Sequence, residues 1–229
     1  MTQFKFRIED SSKQKLSGIT LGFVYFSRIK NSTQNPDVDR AVDLAIKEVC
    51  GKFPDSEKIS EDPVIKGIRA IFSRVGLDPT KERPSGEALI RRAAIGKGIY
   101  RINSVVDINN VVSLKTGCPC GVYDAKKIEG DEITVWVGSS KDTYLGIGGR
   151  KLNGENRILT SDLKSIFGGP TADSARTSVN LETKEALMLI YYPSSASAPK
   201  LEEILGQAIE LMENTTGGKK EYLGIFPIS

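Results

Sequence analysis

The chain has 229 residues, 39% hydrophobic and 27% charged, with 32 Lys and Arg against 29 Asp and Glu for a net charge of +3. That suits one substantial domain, or a domain with an N-terminal addition, and the charge alone demands no polyanionic partner. There is no histidine, which excludes Ser-His-Asp and Cys-His catalysis and removes the commonest metal ligand. The three cysteines, two of them in Cys118-Pro-Cys120, make neither a disulfide framework nor a closed zinc site. No metal and no cofactor is therefore expected. No apolar run reaches the ~18 residues of a membrane helix. The start, M-T-Q-F-K-F-R-I-E-D, alternates apolar and charged residues, unlike a signal peptide. The expectation is a cytoplasmic protein without a membrane partner.

In chain order, residues 4–8 (F-K-F-R-I) and 18–29 (G-I-T-L-G-F-V-Y-F-S-R-I) predict strands rich in β-branched and aromatic residues. Asn35-Pro36 opens a helix, with Asn as N-cap, Val38, Val42, Ala45 and Val49 on one face, and Gly51 as its end. A second helix runs from Pro63 to Val75, with Ile65, Ile68, Phe72 and Val75 inward and Gly76 at its C-terminus. The turn-rich Asp78–Pro84 (D-P-T-K-E-R-P) marks a boundary between an N-terminal α/β extension, residues 1–82, and the remainder, residues 83–229. Ser85 is placed to cap a third helix, E-A-L-I-R-R-A-A-I, whose exposed side carries Arg91 and Arg92.

Arg101–Asp124 holds the most informative pattern. Val105, Ile108 and Val112 fall at helical spacing on one side, while Asn103, Asp107 and Asn110 stack as a polar stripe on the other. The segment breaks at Gly117 and Pro119, and Gly121-Val-Tyr-Asp reads as a turn into a strand. Glu132–Val137 alternates as a strand, residues 141–160 suggest short strands joined by tight turns, and Ser165–Pro170 is a sharp break before the polar Thr171–Asn180. Residues 186–192 (A-L-M-L-I-Y-Y) form the apolar run of a fully buried strand. Pro199–Glu213 is an amphipathic helix, and Tyr222–Phe226 is a last strand. The mixture is α+β.

A carboxylate and amides on an otherwise apolar helix are costly to bury unless backbone or a ligand bonds them. Arg83, Arg91, Arg92, Lys97 and Arg101 cluster against a single acid, Glu87, with Tyr100 among them. This is either a phosphate-contacting face or a solvated helix face. Gly168-Gly169 lacks the ending of a phosphate loop; it is a tight turn, or a place where backbone N–H groups approach a ligand. Cys118 and Cys120 read as structural or incidental.

The run D-I-N-N-V-V-S-L-K-T-G-C-P-C-G-V-Y-D (Asp107–Asp124) resembles the segment D-[ILV]-T-N-Y-V-x-x-E-x-G-Q-P-x-H-A-[FY]-D of the B3/4 editing domain in the phenylalanyl-tRNA synthetase beta subunit. Ile166-Phe-Gly-Gly169 is similar to that family's Met-Gly-Gly turn, Val179-Asn-Leu-Glu-Thr183 to its V-N-x-E-T stretch, and Lys127-Ile-Glu-Gly130 to its K-I-x-G. The resemblance spans residues 83–195 and makes the first eighty residues look like the extension of stand-alone members. It implies the B3/4 fold, α+β with mixed and antiparallel sheets and flanking helices.

It also implies hydrolysis of a misacylated aminoacyl-tRNA in trans, without aminoacylation; the alternative is a non-catalytic tRNA-, RNA- or amino-acid-binding module with a degenerate pocket. The partner would be the acceptor end of tRNA, an aminoacyl-tRNA or a free amino acid; no DNA is expected. Carried over by position, the substrate pocket comprises Asn110, Gly121, Gly168, Gly169 and Thr171, with Ala172 beside it. Arg91, Arg92, Lys97 and Arg101 would contact tRNA. Two positions depart from the family pattern: Gly121 stands where it has histidine, and Leu189 where it has the glutamate expected to read a tyrosine hydroxyl. A pocket that has lost both groups is more apolar, and another amino acid becomes a plausible substrate.

Overall fold

The apolar run at 186–192 lies at the centre of the molecule. In a computed structural model, residues 3–195 and 201–228 are described. The elements are β1 (Lys5–Ile8), α1 (Lys13–Leu16), β2 (Ile19–Ser27), α2 (Pro36–Lys52), α3 (Pro63–Val75), α4 (Ser85–Ala94), α5 (Ser104–Thr116), β3 (Cys120–Asp124) and β4 (Glu132–Val137). They continue as β5 (Thr143–Leu145), β6 (Lys151–Asn153), β7 (Ile158–Ser161), β8 (Ile166–Gly168), β9 (Ala186–Pro193), α6 (Leu201–Thr216) and β10 (Lys219–Pro227). The expected helix start at Pro199 lies outside the described residues.

One sheet runs β10-β2-β9-β3 and is antiparallel throughout. A second runs β1-β4-β7-β8, with β1 parallel to β4 and the other pairs antiparallel. Every residue of β9 is buried, and the pleat sends alternate side chains to opposite faces. Ala186, Met188, Ile190 and Tyr192 join a core with α2, α4, α5 and α6. Leu187, Leu189 and Tyr191 join a second core against β4, β7 and β8. The molecule is thus three layers, helices on one sheet and that sheet on the other, as an α+β chain requires. Strands from both sides of residue 82 share both sheets: β1 lies beside β4, and β2 between β9 and β10.

Helix ends follow their capping chemistry. The Asn35 side chain accepts hydrogen bonds from the Asp37 and Val38 N–H groups, and Asp62 from Val64 and Ile65, each just before a proline at the first helical position. Gly76 closes α3 with a left-handed φ of 98°. Three local expectations are corrected. α2 runs through Gly51 to Lys52, because Phe53 turns inward as its cap. Ser85 is the first helical residue and caps nothing with its side chain; its N–H donates to the Pro170 carbonyl at 2.9 Å, tying α4 to the glycine turn. Within the break expected at Ser165–Pro170, Ile166–Gly168 pairs with β7 as an edge strand.

Two buried charges hold the segments in place. Asp124 accepts from the Thr183 hydroxyl at 2.8 Å and from the Lys126 N–H at 3.1 Å, so the N-x-E-T turn is fastened to the end of β3. Glu87 is wholly buried and accepts from Arg69 at 3.0 Å and Arg91 at 2.7 Å, joining α3 to α4. Removing one partner of such a set strands charge away from water. Glu87→Ala is expected to lower the unfolding free energy by about 2–3 kcal/mol, below the cost for a fully buried pair, since both guanidiniums retain some water. Urea titration at unchanged slope measures this; a loss under ~0.5 kcal/mol would show that the ion cluster does not stabilise the helix pair.

Candidate functional site

The two positions that depart from the family pattern are direct neighbours: Gly121 on β3 pairs with Leu189 on β9. By the pleat, Gly121 shares its face with Tyr123, and the Tyr123 phenol folds back over it. A Cβ at position 121 would run into the Tyr123 hydroxyl, so this conformation requires glycine there. The same hydroxyl sits over Gly168, where a Cβ would also meet the Asp173 carboxylate. Tyr123 donates to Asp173 Oδ1 at 2.7 Å, and the Gly169 N–H bonds the same carboxylate. Gly121, Gly168, Gly169 and Asp173 thus converge around one phenol at the free edges of the two sheets. Behind them Thr160 donates to the Gly168 carbonyl at 2.8 Å and shares a hydrogen bond of 3.1 Å with the Tyr191 hydroxyl. Tyr144 donates to the Ala172 carbonyl at 3.0 Å.

The glycines are buried, whereas Thr171, Ala172 and Asp173 keep part of their surface in water, so the cluster opens along this turn. Thr171 faces Arg157, whose Nη1 donates to its hydroxyl at 3.3 Å. The carboxyl end of Asp173 is enclosed although the residue as a whole is not. Burial pushes its pKa up to about 7, against the opposing hydrogen bonds from Tyr123 and Gly169. Burial raises the Tyr123 phenol as well, with the Asp173 charge adding to it. The Cys118 thiol is pushed well up and that of Cys120 to about 12, both mainly by burial, so neither supplies a thiolate near neutral pH.

On α5 the polar stripe divides. Asn103 is the N-cap, accepting from the Val106 N–H at 3.1 Å. Asp107 accepts from the Ile102 N–H at 3.0 Å, and burial raises its pKa. The Asn110 residue is half-buried and its side chain makes no hydrogen bond among the described residues. The amide that reaches β3 is its neighbour Asn109, whose Nδ2 donates to the Cys120 carbonyl at 3.2 Å while its buried Oδ1 has no partner. Sequence reasoning left Tyr123 and Asp173 out of the candidate site. Their roles come from chain reversals that no local pattern encodes, although Asp173 lies just beyond the glycine turn.

The basic residues divide too. Arg91 donates to Glu87 and to the Ser56 carbonyl. Arg101 pairs with Asp43 at 2.6 Å and approaches Asp39 at 3.9 Å. The expectation of a single acid near the cluster is therefore corrected, because α2 brings two more. Arg92 lies 4.2 Å from the Tyr100 ring centre and donates to the Lys97 carbonyl at 3.3 Å. Neither Arg92 nor Lys97 has a carboxylate partner among the described residues. Among those residues no group of three or more His, Cys, Asp or Glu side chains is arranged to hold a metal ion, and no helix is long and apolar enough to cross a membrane.

The raised Asp173 pKa carries a stability sign. The folded state binds this proton more tightly than the unfolded chain, so the contribution is complete below about pH 4 and is lost as pH rises through about 7. Asp173→Asn, which keeps the shape without the charge, should therefore gain thermal stability relative to the parent between pH 5 and pH 8. A difference in melting temperature that stays flat across that range would show the carboxyl to be ionised throughout.

Comparison with known proteins agrees with the motifs. The sequence model of the B3/4 domain matches residues 67–206. The phenylalanine--tRNA ligase beta subunit of Nitrobacter winogradskyi is 28% identical over 158 residues, covering 66% of this chain and 19% of that one. That of Malacoplasma penetrans is 26% identical over 152 residues, 65% of this chain and 19% of its own length. That of Bradyrhizobium diazoefficiens is 32% identical over 118 residues, 51% and 14%. The chain thus spans about a fifth of the length of the curated relatives it matches. Among solved structures, an N-terminal fragment of the phenylalanyl-tRNA synthetase beta-subunit from Pyrococcus horikoshii overlays 99% of this chain and 56% of that one, at a TM-score of 0.48 and 12% identity. With more than half of its length matched and the motifs in place along β3, β8 and β9, the chain belongs to the B3/4 domain family.

Proposed function

We propose that this B3/4 protein is a trans-editing deacylase, which cleaves the ester of a misacylated aminoacyl-tRNA in the cytoplasm. The observation that carries the reading is the convergence of Gly121, Gly168, Gly169 and Asp173 at the edges of β3 and β8, where the resemblance places the acyl pocket. Asp173 is the one group there that exchanges a proton near neutral pH, and its turn is open to solvent. In this reading a water molecule gives a proton to the Asp173 carboxylate as its oxygen attacks the ester carbonyl carbon. The C–O bond to the terminal ribose then breaks, the ribose oxygen takes the proton from Asp173, which returns to its carboxylate form, and the free amino acid and tRNA leave. An aminoacyl ester is already activated, so positioning and one proton acceptor suffice without histidine. Leu189 stands opposite Gly121 where the resemblance has a glutamate, and the loss of that polar group suits a side chain other than tyrosine.

A second reading has its own support. The Tyr123 phenol fills the space over Gly121 and Gly168, as in a module that binds tRNA or an amino acid without turnover.

Incubation with a panel of misacylated tRNAs, tyrosine on phenylalanine tRNA among them, separates the two. For at least one ester, the deacylase reading expects release above the spontaneous rate, rising with pH through a midpoint near 7. Asp173→Asn should remove that rise and slow release by about 10²-fold. No release above background from any member of the panel would overturn the deacylase and leave the binding module.

A further inference from the structure

Residues 88–106 contain Arg91, Arg92, Lys97 and Arg101 and no acid. Two of these four are paired with carboxylates. Arg91 is held by the buried Glu87, and Arg101 by Asp43 and Asp39 of α2. Arg92 and Lys97 have no carboxylate partner among the described residues; Arg92 lies against the Tyr100 ring, and Lys97, whose carbonyl accepts from Arg92, belongs to the same loop between α4 and α5. Tyr100 is 69% exposed, and its neighbours Ile95 and Ile102 are 54% and 53% exposed. One face of the phenol rests on the Arg92 guanidinium, 4.2 Å from the ring centre. The loop carrying it turns at Gly96 and Gly98, both with positive φ, and a Cβ at either would meet nothing within 4 Å. The ring therefore stands off the body of the protein on a cationic base.

We propose that Tyr100, backed by Arg92 and flanked by Lys97, is a stacking platform for an unpaired base of single-stranded RNA. An aromatic ring fixed on a guanidinium offers its free face to any base, because every base has a π-face. The uncompensated charges of Arg92 and Lys97 attract the adjoining phosphates. Charge complementarity favours a nucleic acid over an apolar protein partner, since a protein surface suited to Ile95, Tyr100 and Ile102 alone has no need of two free cations beside them. Both an unpaired tRNA end and an unstructured RNA offer this chemistry. The site lies outside the glycine–Asp173 cluster and involves no bond cleavage. It is assayed with uncharged RNA, so a chain that proves inactive as a deacylase leaves this inference standing.

Fluorescence anisotropy with a short labelled unstructured RNA, the same sequence as a duplex, and a tRNA with and without its unpaired 3′ end tests the platform. Tyr100→Ala, at a solvent-exposed position, should weaken single-strand binding about tenfold or more, while Tyr100→Phe retains it. Lys97→Ala should flatten the salt dependence by about 0.7 in log–log slope. Loss of affinity on trimming the tRNA end assigns the ligand to tRNA, and equal affinity for the unstructured oligonucleotide assigns it to single strands in general; either upholds the stacking site. Three results overturn it: no RNA binding by the parent protein, an affinity unchanged in Tyr100→Ala, or a duplex bound more tightly than the single strand. Far-UV circular dichroism and melting of each variant establish that the fold is intact.

Discussion

The two-sided burial of β9 is the constraint on which the rest depends. A strand with no wet face must be covered on both sides, and here four helices cover one side and a second sheet the other. A slip of one residue would exchange the side chains of the two cores, placing Tyr191 among the helices and Ile190 against the second sheet. The native register is held by β2 on one flank and β3 on the other, and by the Tyr191 hydroxyl that meets Thr160 in the second layer. That register sets Leu189 opposite Gly121.

The candidate site occupies the place where both sheets end, and its composition follows from that location. At the edges of β3 and β8 the Tyr123 ring packs edge-on against Phe167, and the space beyond the ring holds polar groups. The chain fills the gap with hydroxyls, a carboxyl and glycines. The Tyr123 phenol donates to Asp173, and the glycines leave room for it beside the backbone. A carboxyl in such a place is held near neutrality of charge because neither a cation nor bulk water compensates its ionised form. Asp107 is likewise raised by burial, whereas Glu87 and Asp162 each face a guanidinium, and Asp124 faces a hydroxyl and a lysine.

Much of the architecture was legible in the residues. Asn35-Pro36 and Pro63–Val75 declared their helices through capping and periodicity, and 186–192 declared a buried strand by lacking any polar residue over its length. Ser85 and Ser165–Pro170 were read less well. A serine before a helix has the chemistry of a cap whether or not tertiary contacts use its backbone instead. A three-residue edge strand has too few residues to show a period. At the site, Gly121 and Gly168 were singled out, but the reason they must be glycine, a tyrosine folded over both, depends on residues from two strands and a loop.

The amino-acid sequence by itself determined the class of fold, the absence of histidine chemistry and the family, because composition, periodicity and ordered motifs are properties of the chain. Which charges remain free was decided only by tertiary structure. Arg91 has Glu87 one helical turn before it, but Arg92, Lys97 and Arg101 look equivalent along the chain until α2 brings Asp43 and Asp39 to Arg101 and leaves the other two without a carboxylate among the described residues. Likewise Asp173 is one aspartate among many until burial at the sheet edges separates its carboxyl from compensating charge. Coulomb interaction and desolvation depend on distance through space, and distance along the chain does not report it.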